Sequence, residues 1–442
     1  AVNSNSFLAT MKYYPKNPII FGILVSLSLN SKFYAIATPE YSSSLSLSCP
    51  CSNPDWCTLI SGPPIHPGGE IFGFYGSWVK PNNDIPLGYD MNWTHVTTVA
   101  WADHDELMCL AHQHGARAIL GVPSLTVTDL QGFTNNRTKR LLWIQMTFQI
   151  VQQRHCDGVV FDFEDPLFSI ESREGQTYAT LIAETRQFFQ DVNPSYQITT
   201  CVPWSPDGID GRNYPYKDIA DASDLLYVMD YDTRSQIFDA CIAGANAPFY
   251  GMVQGIQRWM DLNIHPQQII LGVPWYGYRY PCLPGTKLHD VYCPIRSVPF
   301  RGVNCSDAAG IEVSYVDIQS VLRETDPSRL GKLQRDTNTN SLFFNVILDS
   351  THPRSSRFWT IPTTVYQFWF DDPVSLSQKF EWARQQKLAG VGPFVFRNLD
   401  PIRAPQDAIA MWSTFDVFLK SSSPYPSHQI NLNSSLRDTV NT

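Results

Sequence analysis

Eight short apolar runs, most of them separated by longer helical patterns, constrain the fold of this chain more than any other feature of its sequence. Apolar runs of this kind are typical of parallel strands, because helices cover both faces of a parallel sheet. Eight such units in about 340 residues favour a (β/α)8 or TIM barrel within the α/β class. The expected strands are Ile71–Tyr75, Val96–Trp101, Arg117–Gly121, Gly158–Phe163, Gln197–Val202, Leu225–Met229, Gln268–Pro274 and Gly390–Phe396.

Helical patterns follow most of these strands. A doubly wound sheet is the alternative fold, but it usually has a glycine-rich phosphate turn after its first strand. The segment Gly73–Ser77 (GFYGS) matches that turn poorly. The first helix is expected to begin with a D-x-x-E capping box and to stop at Gly115. The expected helices are Asp103–His114, Arg140–Gln153, Gln176–Asp191, Tyr250–Leu262 and Leu376–Leu388.

The interval between the seventh and eighth strands is too long for a single connection. Residues 279–372 are therefore expected to form an inserted subdomain beside the active face of the barrel, and they include Val346–Val365, which has no clear period. The barrel domain as a whole is expected to span residues 38–420. Residues 421–442 are rich in serine, proline and asparagine, which predicts a disordered tail.

The N-terminal residues have the pattern of a secretory signal peptide. A basic stretch at Met11–Pro18 precedes the apolar run Ile19–Leu29, and Ala35–Ala37 has the small-x-small form of a cleavage site. A membrane anchor is the alternative, but the run is short for a bilayer span. Residues 1–37 are thus predicted to be a signal peptide with an upstream extension, and the mature chain is expected to be free of the membrane.

Ten cysteines fit an oxidising compartment and favour disulfides over a zinc site, because no second CxxC or paired histidines match. The spacing does not give the pairing. The net charge of −9 argues against a nucleic-acid partner. Four N-glycosylation sequons suit the same compartment, at Asn92, Asn136, Asn304 and Asn433.

Two acids, Asp162 and Glu164, stand at the end of the fourth expected strand. Side chains alternate between the faces of a strand, so these acids share a face with Val160, and Val159 and Phe161 share the other. In a partly dry cavity two such carboxylates retain one proton strongly, which suits acid catalysis. The alternatives are acids that simply face solvent and a carboxylate metal site, which lacks nearby histidines.

Other strand ends add aromatic and acidic residues to the same rim, where the catalytic groups of such barrels sit. Aromatic faces stack on sugar rings, and carboxyl groups break glycosidic bonds. The candidates after the fifth, sixth and seventh strands are Trp204, Met229, Tyr231, Asp232, Trp275, Tyr276 and Tyr278.

These residues resemble a known family. The segment Asp157–Glu164 (DGVVFDFE) resembles the DGxDxDxE signature of glycoside hydrolase family 18, and Met229–Asp232 (MDYD) resembles its MxYD motif. The segment Gly272–Gly277 (GVPWYG) is similar as well. The resemblance runs from about Cys49 to Trp412.

The resemblance implies a retaining mechanism in which the 2-acetamido oxygen of the substrate is the nucleophile. Glu164 would protonate the glycosidic oxygen and then act as base on water. Asp162 would accept the acetamide N–H, and Tyr231 would hold the acetamide oxygen. Asp232 would support the sugar or Tyr231. The residues implied to bind the substrate or support the site are Asp157, Trp204, Met229, Trp275, Tyr276 and Phe394, with Trp275 stacking beside the cleaved bond.

Two positions depart from the family pattern. Val160 stands where chitinases of the family carry the middle aspartate of the signature, so Asp162 lacks that partner. Phe394 stands where the family usually has a tryptophan as the floor of the sugar site. Phenylalanine still offers an apolar platform, with less area and no N–H donor.

The resemblance implies cleavage of the GlcNAcβ1-4GlcNAc core in free N-glycan-derived oligosaccharides, releasing the reducing-end sugar. The expected partner is therefore an oligosaccharide containing N-acetylglucosamine, with no metal and no cofactor, and the chain is expected to be a lysosomal or secreted monomer. The alternatives are an endochitinase and a catalytically weakened lectin of the same fold.

Overall fold

The computed structural model describes residues 48–77, 85–233, 240–349 and 363–420. The described residues from Pro50 onward belong to one compact unit. The expected signal peptide, the expected tail and the sequon at Asn433 lie outside the described residues.

Eight parallel strands close into a barrel, which confirms the expected fold. Around the barrel the order is β1-β2-β3-β4-β5-β6-β7-β13, and β13 pairs with β1 to close it. The barrel strands are β1 Glu70–Phe74, β2 Thr98–Ala100, β3 Arg117–Gly121, β4 Gly158–Phe161, β5 Gln197–Pro203, β6 Leu225–Met229, β7 Ile269–Pro274 and β13 Gly390–Phe394.

Side chains of the barrel strands divide between two apolar clusters. Strand β4 shows the alternation: Val159 and Phe161 belong to the outer cluster, which the helices cover, and Val160 belongs to the inner one. Val160 is fully buried there with Phe72 and Tyr227. The face that continues toward Asp162 and Glu164 is therefore the inner face, as the period-2 pattern predicts.

Ten α-helices lie in the described ranges: α1 Asp105–Gln113, α2 Val127–Phe133, α3 Arg137–Gln153, α4 Arg173–Val192, α5 Tyr216–Ala222, α6 Phe249–Asp261, α7 Tyr315–Glu324, α8 Pro373–Gln385, α9 Pro405–Ser413 and α10 Phe415–Leu419. Helix α1 begins two residues later than expected. His104 occupies its N-cap and its side chain makes no capping bond, so the predicted capping box is not formed. Gly115 follows the helix with a φ of 73°, where glycine is favoured.

A five-stranded antiparallel sheet fills the interval between the seventh and eighth barrel strands. Its strand order is β10-β11-β12-β8-β9. Its first strand begins immediately after Trp275, slightly ahead of the expected boundary at residue 279. The strands are β8 Tyr276–Pro281, β9 Ile311–Ser314, β10 Gln334–Arg335, β11 Leu342–Asp349 and β12 Thr363–Phe370.

The segment Val346–Val365, which shows no clear period in the sequence, has strand structure at its two ends. Strands β11 and β12 pair in a continuous register from Leu342 opposite Phe370 to Asp349 opposite Thr363. Only Val346–Asp349 and Thr363–Val365 of the segment lie in these strands, and runs this short show no clear period. Residues 350–362 lie outside the described residues.

The described residues include the disulfides Cys51–Cys109, Cys241–Cys305 and Cys282–Cys293, and Cys49 and Cys57 are disulfide-bonded as well. The expected preference for disulfides is thus confirmed for these cysteines. The second disulfide joins the segment after β6 to the inserted sheet region. Among the described helices, none combines the length and the apolar character that crossing a membrane requires.

Candidate active site

Asp162 follows the last residue of β4 and lies at the mouth of the barrel. Its Oδ1 atom is buried, and within the described part of the chain no group donates a hydrogen bond to it. The thiol of Cys201, a free cysteine on β5, bonds to the same carboxyl group. Burial raises the pKa of Asp162 to about 7, and the negative charge of Glu164 adds to the rise.

Glu164 lies two residues further along and is more open, with 28% of its side chain exposed. Its Oε2 atom accepts a 3.2 Å hydrogen bond from Nη1 of Arg212. Its main-chain oxygen accepts a 3.0 Å hydrogen bond from Nη1 of Arg301, which belongs to the inserted segment. The two sequence-predicted acids thus lie at the same mouth, both partly exposed, and Asp162 keeps one carboxyl oxygen buried.

An aromatic wall stands on the other side of the mouth. The ring of Phe394 stacks on Tyr231 with centroids 5.2 Å apart and an interplanar angle of 25°. Trp101 approaches Phe394 edge-on at 5.7 Å. Phe394 and Trp101 are partly exposed, and Tyr231 is 9% exposed, so apolar ring surface remains available to a ligand.

Asp232 connects this wall to the inserted sheet. Its Oδ1 atom accepts hydrogen bonds from the hydroxyl groups of Tyr276 at 2.7 Å and Tyr278 at 3.1 Å. Its main-chain N–H donates to Oδ1 of Asn246 at 2.6 Å. Burial raises the pKa of Asp232 well above its usual range, and the charge of Glu312 adds to the rise.

Asp157 does not lie at this mouth. It precedes β4, at the opposite end of the strand from Asp162, and is fully buried. Its carboxyl group pairs with His112 at 2.7 Å and accepts main-chain hydrogen bonds from Ile60 and Ala118, both 2.7 Å long. These contacts fit a support of the barrel floor and exclude the contact with substrate for which it was a candidate.

Trp275 does not face the mouth either. Its side chain is buried in the outer cluster, with the ring centroid 5.2 Å from that of Trp412 and 5.7 Å from that of Phe415. Strand β7 ends at Pro274 and the chain enters β8 at once, so Trp275 packs against the C-terminal helices. The stacking on substrate that the resemblance implied is not possible for a ring packed in this way.

Met229 and Trp204 occupy intermediate positions. Met229 is partly buried and packs against the inner cluster, on the same side as Tyr231. Trp204 is partly exposed, but its ring lies close to Gly255 of α6, where an added Cβ would approach it to 2.9 Å. Its Nε1 atom is buried and makes no hydrogen bond to any residue that the structure describes. Met229 is therefore the stronger candidate for a ligand contact.

Sequence reasoning missed three residues of this site: Trp101, Arg212 and Arg301. Trp101 could have been found, because it ends the second expected strand and the strand-end rule applies to it as to the others. The two arginines lie in irregular segments after β5 and β8. No periodic pattern marks them.

The three described sequons reach the surface to different degrees. Asn304 is exposed, whereas Asn92 and Asn136 are partly buried. Asn136 also caps α3, since its side chain accepts a hydrogen bond from the main-chain N–H of Lys139. Glycosylation of these residues stays a prediction.

Comparison with known proteins agrees with this geometry. The family model described as glycosyl hydrolases family 18 matches residues 126–396. Probable di-N-acetylchitobiase 2 of Dictyostelium discoideum is 36% identical over 383 residues, covering 85% of this chain and 91% of that protein. Di-N-acetylchitobiase of Homo sapiens is 34% identical over 373 residues, covering 84% of this chain and 87% of that protein.

Solved structures share the fold. The Group II chitinase catalytic domain 2 of Ostrinia furnacalis superposes with a TM-score of 0.60 at 18% identity, covering 82% of this chain and 99% of that one. A GH18 chitinase from Cycas revoluta in complex with (GlcNAc)3 superposes with a TM-score of 0.59 at 15% identity. The match covers 79% of this chain and 99% of that one. This chain therefore belongs to glycosyl hydrolase family 18 and is an O-glycosyl hydrolase.

Proposed function

We propose that this enzyme cleaves the GlcNAcβ1-4GlcNAc core of free oligosaccharides derived from N-glycans and releases the reducing-end GlcNAc. The similarity to two proteins named di-N-acetylchitobiase, over most of their length, supports this substrate class. The partner is then an oligosaccharide that carries N-acetylglucosamine at the cleaved bond.

The observation that carries the proposal is the unsatisfied Oδ1 atom of Asp162. A buried carboxyl oxygen without a hydrogen bond is costly, so it marks a place for a donor that arrives with a ligand. The N–H of a 2-acetamido group is such a donor. Binding it favours the ionised form of Asp162, and the proton that Asp162 holds below about pH 7 becomes available to the neighbouring Glu164.

The proposed reaction is substrate-assisted. Glu164 gives its proton to the glycosidic oxygen as the bond from that oxygen to C1 breaks. The acetamido carbonyl oxygen attacks C1 and forms an oxazolinium ion, which Asp162 stabilises by accepting the N–H. Glu164 then takes a proton from water, whose oxygen attacks C1 and restores the acetamide. Tyr231 holds the acetamido oxygen in line, and the Phe394 ring supports the sugar face.

We also propose a secretory route that ends in the lysosome or outside the cell, and action as a monomer. The disulfides of the described region favour an oxidising compartment. The acidic environment of a lysosome would suit an acid whose neighbour, Asp162, holds a proton below about pH 7.

Hydrolysis of a fluorogenic N,N′-diacetylchitobioside by wild type and Glu164→Gln tests the proposal. Glu164→Gln should lower kcat by a factor on the order of 10²–10⁴, because it removes the acid and base, while oligosaccharide binding persists. Mass spectrometry of the products should show loss of one reducing-end GlcNAc from chitobiose-core oligosaccharides. Predominant mid-chain cutting of chitin would instead identify an endochitinase, and binding without hydrolysis by wild type a lectin.

A further inference from the structure

The segment after β5 brings a buried arginine, Arg212, back to the end of β4. The chain reverses sharply there, because Gly208, Asp210 and Gly211 have φ angles of 70°, 55° and 75°. An added Cβ at Gly208 would lie 2.6 Å from Oδ1 of Asn213, so a side chain does not fit at this turn. The reversal places Arg212 beside the segment that carries the two catalytic acids.

The guanidinium of Arg212 is held on three sides. Nε donates to the main-chain oxygen of Ile209 at 3.2 Å, and Nη2 donates to Oδ2 of Asp210 at 3.1 Å. Nη1 donates to Oε2 of Glu164 at 3.2 Å. The side chain is only 7% exposed. Because two of the three contacts lie within its own segment, the guanidinium keeps its place whether or not Glu164 moves.

The same segment also fixes the main chain around Glu164. The hydroxyl group of Tyr214 bonds to the main-chain oxygen of Asp165 at 2.6 Å and to that of Phe163 at 3.2 Å. These residues flank Glu164 on both sides. The segment that carries Arg212 thus sets both the backbone and the side chain of the acid.

We propose that Arg212 is a positioning residue of the reaction: its guanidinium holds the carboxyl group of Glu164 in the direction that the reaction needs. The proposal rests on the proposed role of Glu164 as acid and base. A charge-assisted hydrogen bond fixes the direction of a carboxyl group. With Oε2 held, the other carboxyl oxygen keeps one direction while Glu164 gives a proton to the glycosidic oxygen and later takes one from water.

Arg212 also acts on the second acid, Asp162. Burial raises the pKa of Asp162 to about 7, with the charge of Glu164 adding to the rise. The positive charge of Arg212 opposes that rise. The titratable and charged groups around Glu164 are Asp162, Cys201, Asp210, Arg212, Tyr214, Tyr216 and Arg301.

The test is the pH dependence of kcat/KM for Arg212→Gln. Without the guanidinium the pKa of Asp162 should rise, so the pH above which kcat/KM falls should move upward by about 0.5–1 unit. In addition, kcat should fall more than KM changes, because Glu164 loses the contact that orients it. Arg212→Lys keeps a positive charge and should leave that limit near the wild-type value. Arg258→Gln is the matched control, because Arg258 binds Asp207 on the exposed side of the same region. A profile of Arg212→Gln that superposes on wild type would overturn the proposal.

A second measurement does not depend on activity. Unfolding free energies of wild type, Arg212→Gln, Glu164→Gln and the double variant form a double-mutant cycle. The double variant should lose less stability than the sum of the single losses, and additive losses would count against the ion pair. A wild type that hydrolyses no chitobioside contradicts the proposed function, whereas the cycle still decides the role of Arg212.

Discussion

The hydroxyl group of Tyr276 donates a 2.7 Å hydrogen bond to Oδ1 of Asp232. This bond joins the first residue of the inserted sheet to the segment that follows β6. The cleft therefore has walls from two layers of the fold, and Asp232 joins them next to Tyr231.

Replacing Tyr276 by phenylalanine should lower kcat/KM roughly 5- to 10-fold, because one hydrogen bond to Asp232 is lost while Tyr278 still donates. Steady-state kinetics on the chitobioside measure this loss. Tyr280→Phe is the control, since Tyr280 lies on the same strand but donates to Asp307. Equal losses in both variants would mean that the sheet as a whole, and not the Asp232 contact, affects the rate.

Phe394→Ala should raise KM by about tenfold or more, because it removes the ring that stacks on Tyr231 and faces the proposed sugar site. Binding of chitobiose to Glu164→Gln and to the Glu164→Gln/Phe394→Ala double variant, measured by calorimetry, isolates this effect from catalysis. Unchanged affinity would remove Phe394 from the proposed sugar platform.

Asp162→Asn should change the pH dependence of stability. Folded Asp162 keeps its proton up to about pH 7, whereas an unfolded aspartate releases it near pH 4. Between these values the folded state binds the extra proton, so the contribution of Asp162 to stability falls as the pH rises. Asparagine does not titrate. As the pH rises through this window, the free energy of unfolding of the variant should therefore increase relative to wild type by on the order of 1–3 kcal/mol. Chemical unfolding at several pH values measures the gain, and parallel curves would contradict it.

Val160→Asn places a hydrogen-bond donor two residues from Asp162 on the inner face of β4. The amide should favour ionised Asp162 and move the pH above which activity falls to a lower value. The cost in stability should be about 1–3 kcal/mol, since the position is fully buried. Val160→Ala should cost stability without the shift. A shift in both variants would show that packing, and not hydrogen bonding, is responsible.

The barrel could be predicted because each of its strands is marked by a local pattern. The inward direction of Asp162 follows from the alternation that places Val159 and Val160 in different clusters. The pairing of β11 with β12 could not be predicted, because the register depends on contacts between two segments and no local pattern in either strand shows it.

The site was predictable only where residues lie at strand ends. Asp162, Glu164, Tyr231 and Asp232 all do. Arg212 does not, and its contact with Glu164 spans 48 residues of sequence. Trp275 shows the opposite error, because a residue after a strand faces the mouth only if the chain continues there, and this chain turns at once into β8.

The disulfide between Cys241 and Cys305 gives the cleft a requirement for maturation. Its two cysteines belong to the two walls that Tyr276 and Asp232 also connect, so the bond requires these two segments to lie close together. Synthesis in a reducing cytosol would leave those walls joined by noncovalent contacts alone. Recombinant enzyme with a defined cleft should therefore come from an oxidising compartment.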